Sequence, residues 1–207
     1  MLYFKTSETA RFPSCLISLA LMIFMLPILY SCVKNDSSLT DEVKVDFADA
    51  NLETAVREEL DIAKGEITEK DMLGLTSFGA PSSEIERLDG LEYAANLKRL
   101  WLNSNAIMDL SPLAGLTELK VLWLGENEIT DISPLAELAD MKHLQIQANL
   151  IADISPLAGL TELEKLWLTK NRIIDITPLE RVNELCLLQL GSNKTRISSE
   201  SSEVKAR

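Results

Sequence analysis

From Leu97 to Leu190 the chain repeats itself every 22 residues. Successive lines begin at Leu97, Leu119, Met141 and Leu163, and a partial line begins at Leu185. A weaker line precedes them, with Leu75, Phe78, Ala80, Ile85, Leu88 and Leu91 in the same columns. A period this short leaves little choice of fold. One unit cannot bury its own apolar face, so neighbouring units must stack and share a continuous core.

Within a unit the residue types assign the geometry. Leu100 and Leu102 alternate inward as on a strand, and Trp101 points the other way. Stacking places these strands in parallel, about 4.8 Å apart. Parallel strands need a crossover of about a dozen residues or more, and the repeat leaves just enough. Ser111, Ser133, Ser155 and Thr177 each stand immediately before a proline. A hydroxyl at the N-cap followed by proline starts a helical turn. Gly115 and Gly159 limit its length, so the return side is expected to be short 3-10 or single-turn helix. Asn105, Asn127, Asn149, Asn171 and Asn193 form a column. An amide both donates and accepts, which suits it to pairing backbone groups where the chain leaves each strand. Asp109, Asp131, Asp153 and Asp175 form a second column, expected to accept from backbone N–H groups near the next turn. One carboxylate per repeat is too thin a shell to hold a metal.

The spacing L-x-x-L-x-L-x-x-N-x-I is that of leucine-rich repeats. The run Ile129–Ala136 (Ile-Thr-Asp-Ile-Ser-Pro-Leu-Ala) resembles the 22-residue repeat of internalin-type bacterial proteins. The resemblance covers roughly residues 75–193. It implies an α/β fold, a short solenoid over residues 75–197. A parallel sheet would line the concave face and short turns the convex one. It also implies binding through the hollow face, although members of that family bind unrelated partners, so no ligand follows.

An array end exposes core and must be covered. Residues 45–74 fit a helical N-terminal cap. Leu52, Ala55, Val56 and Leu60 fall on one helical face, with Asp49 or Asn51 as its N-cap. Thr68 and Asp71 have the spacing of a capping box for a second short helix. Glu53, Glu58, Glu59 and Asp61 are read as a solvated face. At the other end, the line from Leu185 has its strand but loses its return, so Leu188 and Leu190 are expected to face an open edge. Residues 198–207 read as disordered. A folded-back tail, an end-to-end homodimer or descent from a longer protein would each account for that end.

The N-terminus has a different composition. Lys5 and Arg11 precede an apolar run from Leu16 to Leu29, which fits a signal peptide better than a spanning helix of about 20 residues. Leu29-Tyr30-Ser31-Cys32 resembles the lipobox of bacterial lipoproteins. That resemblance implies a lipoprotein signal peptide over residues 1–31 and lipidation of Cys32. A flexible tether then runs over 32–44, and the chain is held at the cell envelope, lipid-anchored to a bacterial membrane and surface-exposed.

The outward positions of the strands carry the candidate binding residues. The central column reads Gly79, Trp101, Trp123, Gln145, Trp167 and Gln189 and holds all three tryptophans. Each indole presents up to about 250 Å², and such aromatics are frequent hot spots. Arg99, Val121, His143 and Lys165 flank it on one side, and Asn103, Gln147 and Thr169 on the other. Lys98, Lys120 and Lys142 form a further column at the rim, read as solvated charge. A protein or peptide ligand is expected on this face. A carbohydrate stacked on the indoles is the alternative, as is a truncated scaffold without its own ligand.

A formal charge of −12 argues against sequence-independent nucleic-acid binding. The single histidine, His143, has no nucleophile pattern or metal spacing beside it, and there is no phosphate-cradling glycine loop. Neither an enzyme nor a cofactor is expected. Only Cys186 of the three cysteines lies in the array, where it reads as an inert half-buried thiol.

Overall fold

A computed structural model describes residues 43–194. The expected signal peptide, Cys32, nearly all of the tether and the tail from 198 lie outside the described residues. Six three-residue strands form one parallel sheet in sequence order: β1 (Ser77–Gly79), β2 (Arg99–Trp101), β3 (Val121–Trp123), β4 (His143–Gln145), β5 (Lys165–Trp167) and β6 (Leu187–Gln189). Every residue pairs with the one 22 positions on: Leu100 with Leu122, Leu122 with Leu144, Leu144 with Leu166. These leucines are completely buried, as are Leu102, Leu124, Ile146 and Leu168 one column further. Burying one such side chain is worth roughly 1.5–3 kcal/mol. Columns of identical shape therefore fix the register, since a slip of one residue would turn each leucine outward.

The return side is built from 3-10 turns at Leu91–Tyr93, Ser111–Leu113, Ser133–Leu135, Ser155–Gly159 and Thr177–Arg181. One detail departs from the sequence expectation. Ser111, Ser133, Ser155 and Thr177 are not the N-caps; each is the first residue of its turn, and the cap position belongs to Leu110, Ile132, Ile154 and Ile176. The apolar side chain at the cap has no polar group to offer. The aspartate just before it does the work instead. Asp109 Oδ1 accepts from the Ser111 N–H at 2.8 Å, and the Ser111 hydroxyl donates to Oδ2 at 2.7 Å. The arrangement recurs at Asp131 and Asp153, and the Thr177 N–H donates to Asp175 at 2.9 Å. The backbone N–H of Ser111, then its hydroxyl, hold the Asp109 carboxyl below its usual range. Gly159 closes its turn rather than standing outside it.

The asparagine column ties coil to coil. Asn149 Oδ1 accepts from the Ile129 N–H one coil back at 3.0 Å, and its amide donates to Leu124 O at 3.0 Å and Ile146 O at 3.1 Å. Asn127, Asn171 and Asn193 repeat that pattern, and Asn105 accepts from both Ser83 and Ile85.

The cap covers the first coil. Helix α1 spans Ala50–Glu59 and buries Leu52 and Val56; α2 is the single turn Glu69–Met72. The capping box is complete: Thr68 N–H donates to Asp71 Oδ2 at 2.9 Å, and Asp71 N–H to the Thr68 hydroxyl at 3.3 Å. The cap also begins earlier than position 45. Lys44 forms an antiparallel bridge with Thr68, and Val43 O accepts from the Glu69 N–H at 2.9 Å. Val43 and Lys44 thus belong to the cap and not to a tether, because the backbone of α2's entry offers them partners.

Asp49 joins the cap to the array. One carboxylate oxygen accepts from Asn51 and Leu52 N–H at 2.9 and 3.1 Å; the other accepts from Glu86 and Arg87 N–H at 2.8 and 3.2 Å. Partial burial acts to raise its pKa, but the four N–H donors outweigh it and the net displacement is downward. A carboxyl depressed in the folded state stabilises fully above its unfolded pKa, near 3.9, and loses that contribution as pH falls through the lower folded value. Asp49→Ala is therefore expected to cost about 1–2 kcal/mol at neutral pH. The gap between variant and parent should close below about pH 4, as read by urea titrations across pH. A gap unchanged at acid pH would show that the carboxylate is not the stabilising species.

At the far end the core is less well covered. Leu185, Leu188 and Leu190 are only partly buried, whereas their counterparts one coil earlier are fully so.

Candidate ligand-binding face

The alternation that buries the strand leucines turns the neighbouring residues to the open face of the sheet. Register places Gly79, Trp101, Trp123, Gln145, Trp167 and Gln189 side by side in one row. The three tryptophans are half-buried, neither tucked into the core nor carried on the return side. Trp101 and Trp123 meet edge to face, with ring centroids 6.1 Å apart and planes at 70°. Trp101 also leans over Gly79: a Cβ there would lie 3.3 Å from its Cε3. The first two indoles are thus braced by neighbours, which lowers the entropy lost on holding a ligand.

The flanking rows are in place but differ in freedom. Arg99 is exposed, and its Nε donates to Ser77 Oγ at 3.2 Å. Val121, His143 and Lys165 are half-buried beside it. On the other flank, Asn103 Oδ1 is occupied, accepting from Gly125 N–H at 2.8 Å. The Gln147 side chain lies over Gly125, in the space a side chain at 125 would need. Gln147 Oε1 and Trp123 Nε1 are buried without a partner, one acceptor and one donor on the same face. Thr169 is half-buried and Gln189 exposed.

Glu164 is a member of this face that sequence reasoning passed over. It continues the rim row of Lys98, Lys120 and Lys142. Lys142 Nζ lies 2.8 Å from its Oε1, and His143 Nε2 lies 3.7 Å from its Oε2. The hydrogen bond and charge of Lys142 hold the Glu164 carboxyl below its ordinary range. The column spacing was the signal available for it. Cys186 is next in the same row. It is exposed, not half-buried, and its thiol donates to Glu164 O at 3.1 Å. It adjoins β6, the last described strand, so no described strand lies beyond it. Among the described residues no group of three His, Cys, Asp or Glu side chains is arranged to hold a metal.

An array of identical parallel coils, strands on one face and 3-10 turns on the other, defines a leucine-rich-repeat protein. Residues 95–137 and 141–181 match the family described as leucine-rich repeats in two copies. The array is of the internalin type. An internalin (inlF) of Listeria monocytogenes superposes with a TM-score of 0.73 at 32% identity, covering 78% of this chain and 49% of that one. This chain therefore spans about half of that internalin's length. A leucine-rich-repeat protein of Leptospira interrogans gives a TM-score of 0.50 at 28% identity, over 53% of this chain and 29% of its own. A second Listeria monocytogenes internalin (inlC2) gives 0.46 at 28% identity, over 77% and 91%. No curated protein sequence matches the chain.

Proposed function

We propose that this protein is a non-enzymatic binding module that recognises a protein or peptide on the strand face of its array and is held at a bacterial cell surface by lipid on Cys32. The observation that carries the reading is the indole row: every tryptophan of the chain lies in one outward column, half-buried and in register. At roughly 25 cal/mol per Å², covering the remaining exposed part of each ring is worth a few kcal/mol at most. Two or three such anchors supply the core of an ordinary interface.

The test is capture of surface proteins by the purified domain, with a glycan panel run in parallel. Changing Trp101, Trp123 and Trp167 together to Ala is expected to weaken a captured partner at least about a hundredfold, the scale of a hot-spot loss. Trp167→Ala alone, whose ring pairs with no other among the described residues, controls for disturbed folding. Retention of every interaction by a normally melting triple variant would remove the strand face from the mechanism. Capture of glycans alone would replace protein by carbohydrate as the ligand.

The anchor is tested separately. Cys32→Ala is expected to move the protein from the membrane fraction to the soluble one, because acyl chains supply the membrane affinity. Unchanged fractionation would refute lipidation at that residue.

A further inference from the structure

Charge is sorted between the two sides of the array. The strand segments 98–103, 120–125, 142–147 and 164–169 carry five lysines and arginines against one acid, Glu164. The return segments 104–119, 126–141, 148–163 and 170–185 carry twelve acids against three lysines and arginines. In a chain of net charge −12, the strand face therefore runs against the prevailing sign. Its cations are also mostly uncommitted: Lys98, Arg99, Lys120 and Lys165 make no ion pair among the described residues, and only Lys142 is matched, by Glu164. Glu164 touches both Lys142 and His143, so the lysine rim and the strand face are one continuous surface. Neighbouring coils are about 4.8 Å apart, inside one screening length of roughly 8–10 Å, so these charges act together. The indoles stand two residues from Arg99 and Lys165 in the next outward row.

From this juxtaposition we propose that the ligand is an acidic polypeptide segment, lying across the strands with its carboxylates on the Lys98–Lys120–Lys165 side and its apolar side chains on the indoles. The inference rests on the strand face being the docking surface and names the chemistry of what docks. A uniformly charged polyanion fits less well, because it would leave the aromatic row uncovered. Six strands span about 24 Å, which an extended segment of about eight residues crosses.

The probe is a synthetic peptide of about ten residues in which Asp and Glu alternate with Leu and Phe. Its counterpart carries Lys at every acidic position, and heparin serves as a non-peptide polyanion. Binding to the full chain is read from indole emission, since all three tryptophans report from this face. The acidic peptide should bind at least tenfold tighter than the lysine peptide, and lose tenfold or more between about 0.05 and 0.5 M NaCl. Joint replacement of Lys98, Lys120 and Lys165 by Gln should weaken it by tenfold or more with an unchanged melting curve, the three side chains being outside the core. Equal or better binding of the lysine peptide, binding of heparin alone, or indifference to the lysine replacements would each overturn the inference. A tryptophan-dependent partner lacking acidic segments would overturn it too while leaving the docking face intact, which separates the two failures.

Discussion

Asn149→Ala is expected to lower the unfolding free energy by about 3–5 kcal/mol, measured by urea denaturation. The residue is 5% exposed and makes four bonds to backbone, the weakest to Gln147 O at 3.3 Å. Alanine would strand the Ile129 N–H in a space closed to water and take one of two amide donors from each of the Leu124 and Ile146 carbonyls, which keep Asn127 and Asn171. The stranded N–H costs about 1–3 kcal/mol, and each amide bond lost to a carbonyl about 1 kcal/mol more. Asn149→Asp should fare no better: it keeps the acceptor, loses every donation and sets a carboxylate against the carbonyl oxygens of Leu124, Ile146 and Gln147. The damage should also spread, because a solenoid is stabilised by nearest-neighbour contacts and position 149 links coils in the middle of the stack. A loss under about 1 kcal/mol for both variants would mean that the ladder is dispensable.

Gly90→Ala should cost about 2–4 kcal/mol by two separable routes. Gly90 has φ +104°, a conformation side chains resist. A Cβ there would also fall 2.6 Å from the Phe47 ring, where the cap closes on the first return turn. Phe47→Ala in the same chain removes the clash and leaves the backbone strain. The pair should therefore cost less than the sum of the two single changes, with a coupling of about 1–2 kcal/mol in a double-mutant cycle. Strict additivity would place the whole effect in the backbone.

The periodic side chains of the strands declare their places in the fold, and the features set by backbone shape do not. Leu100, Trp101 and Asn105 recur in columns, and a column states its own orientation: buried, outward, or bonded across coils. The strand register and the candidate row of indoles were legible for that reason. Features that depend on backbone shape were not, even where they recur. The serines before proline matched the local signature of a cap, yet the aspartates two residues earlier hold the turns, because only the turn geometry decides which oxygen reaches which N–H. The left-handed residues Ser82, Ser104, Glu126, Ala148, Lys170 and Ser192 have φ between 53° and 63° and carry no glycine to announce them. Neighbouring coils hold them there through bonds such as Ala148 N–H to Thr169 O at 2.8 Å.

The 22-residue repeat by itself determined a parallel solenoid and the outward row of indoles, because an equal number of residues per coil makes every column stack on itself. Tertiary structure alone decided how Asp49 fastens the cap, that Glu164 joins Lys142 and His143, and that Trp101 leans on Trp123 over Gly79. Those contacts set residues one coil or more apart at distances of a few ångströms, and side-chain size and backbone twist, which no single line of sequence records, fix such distances.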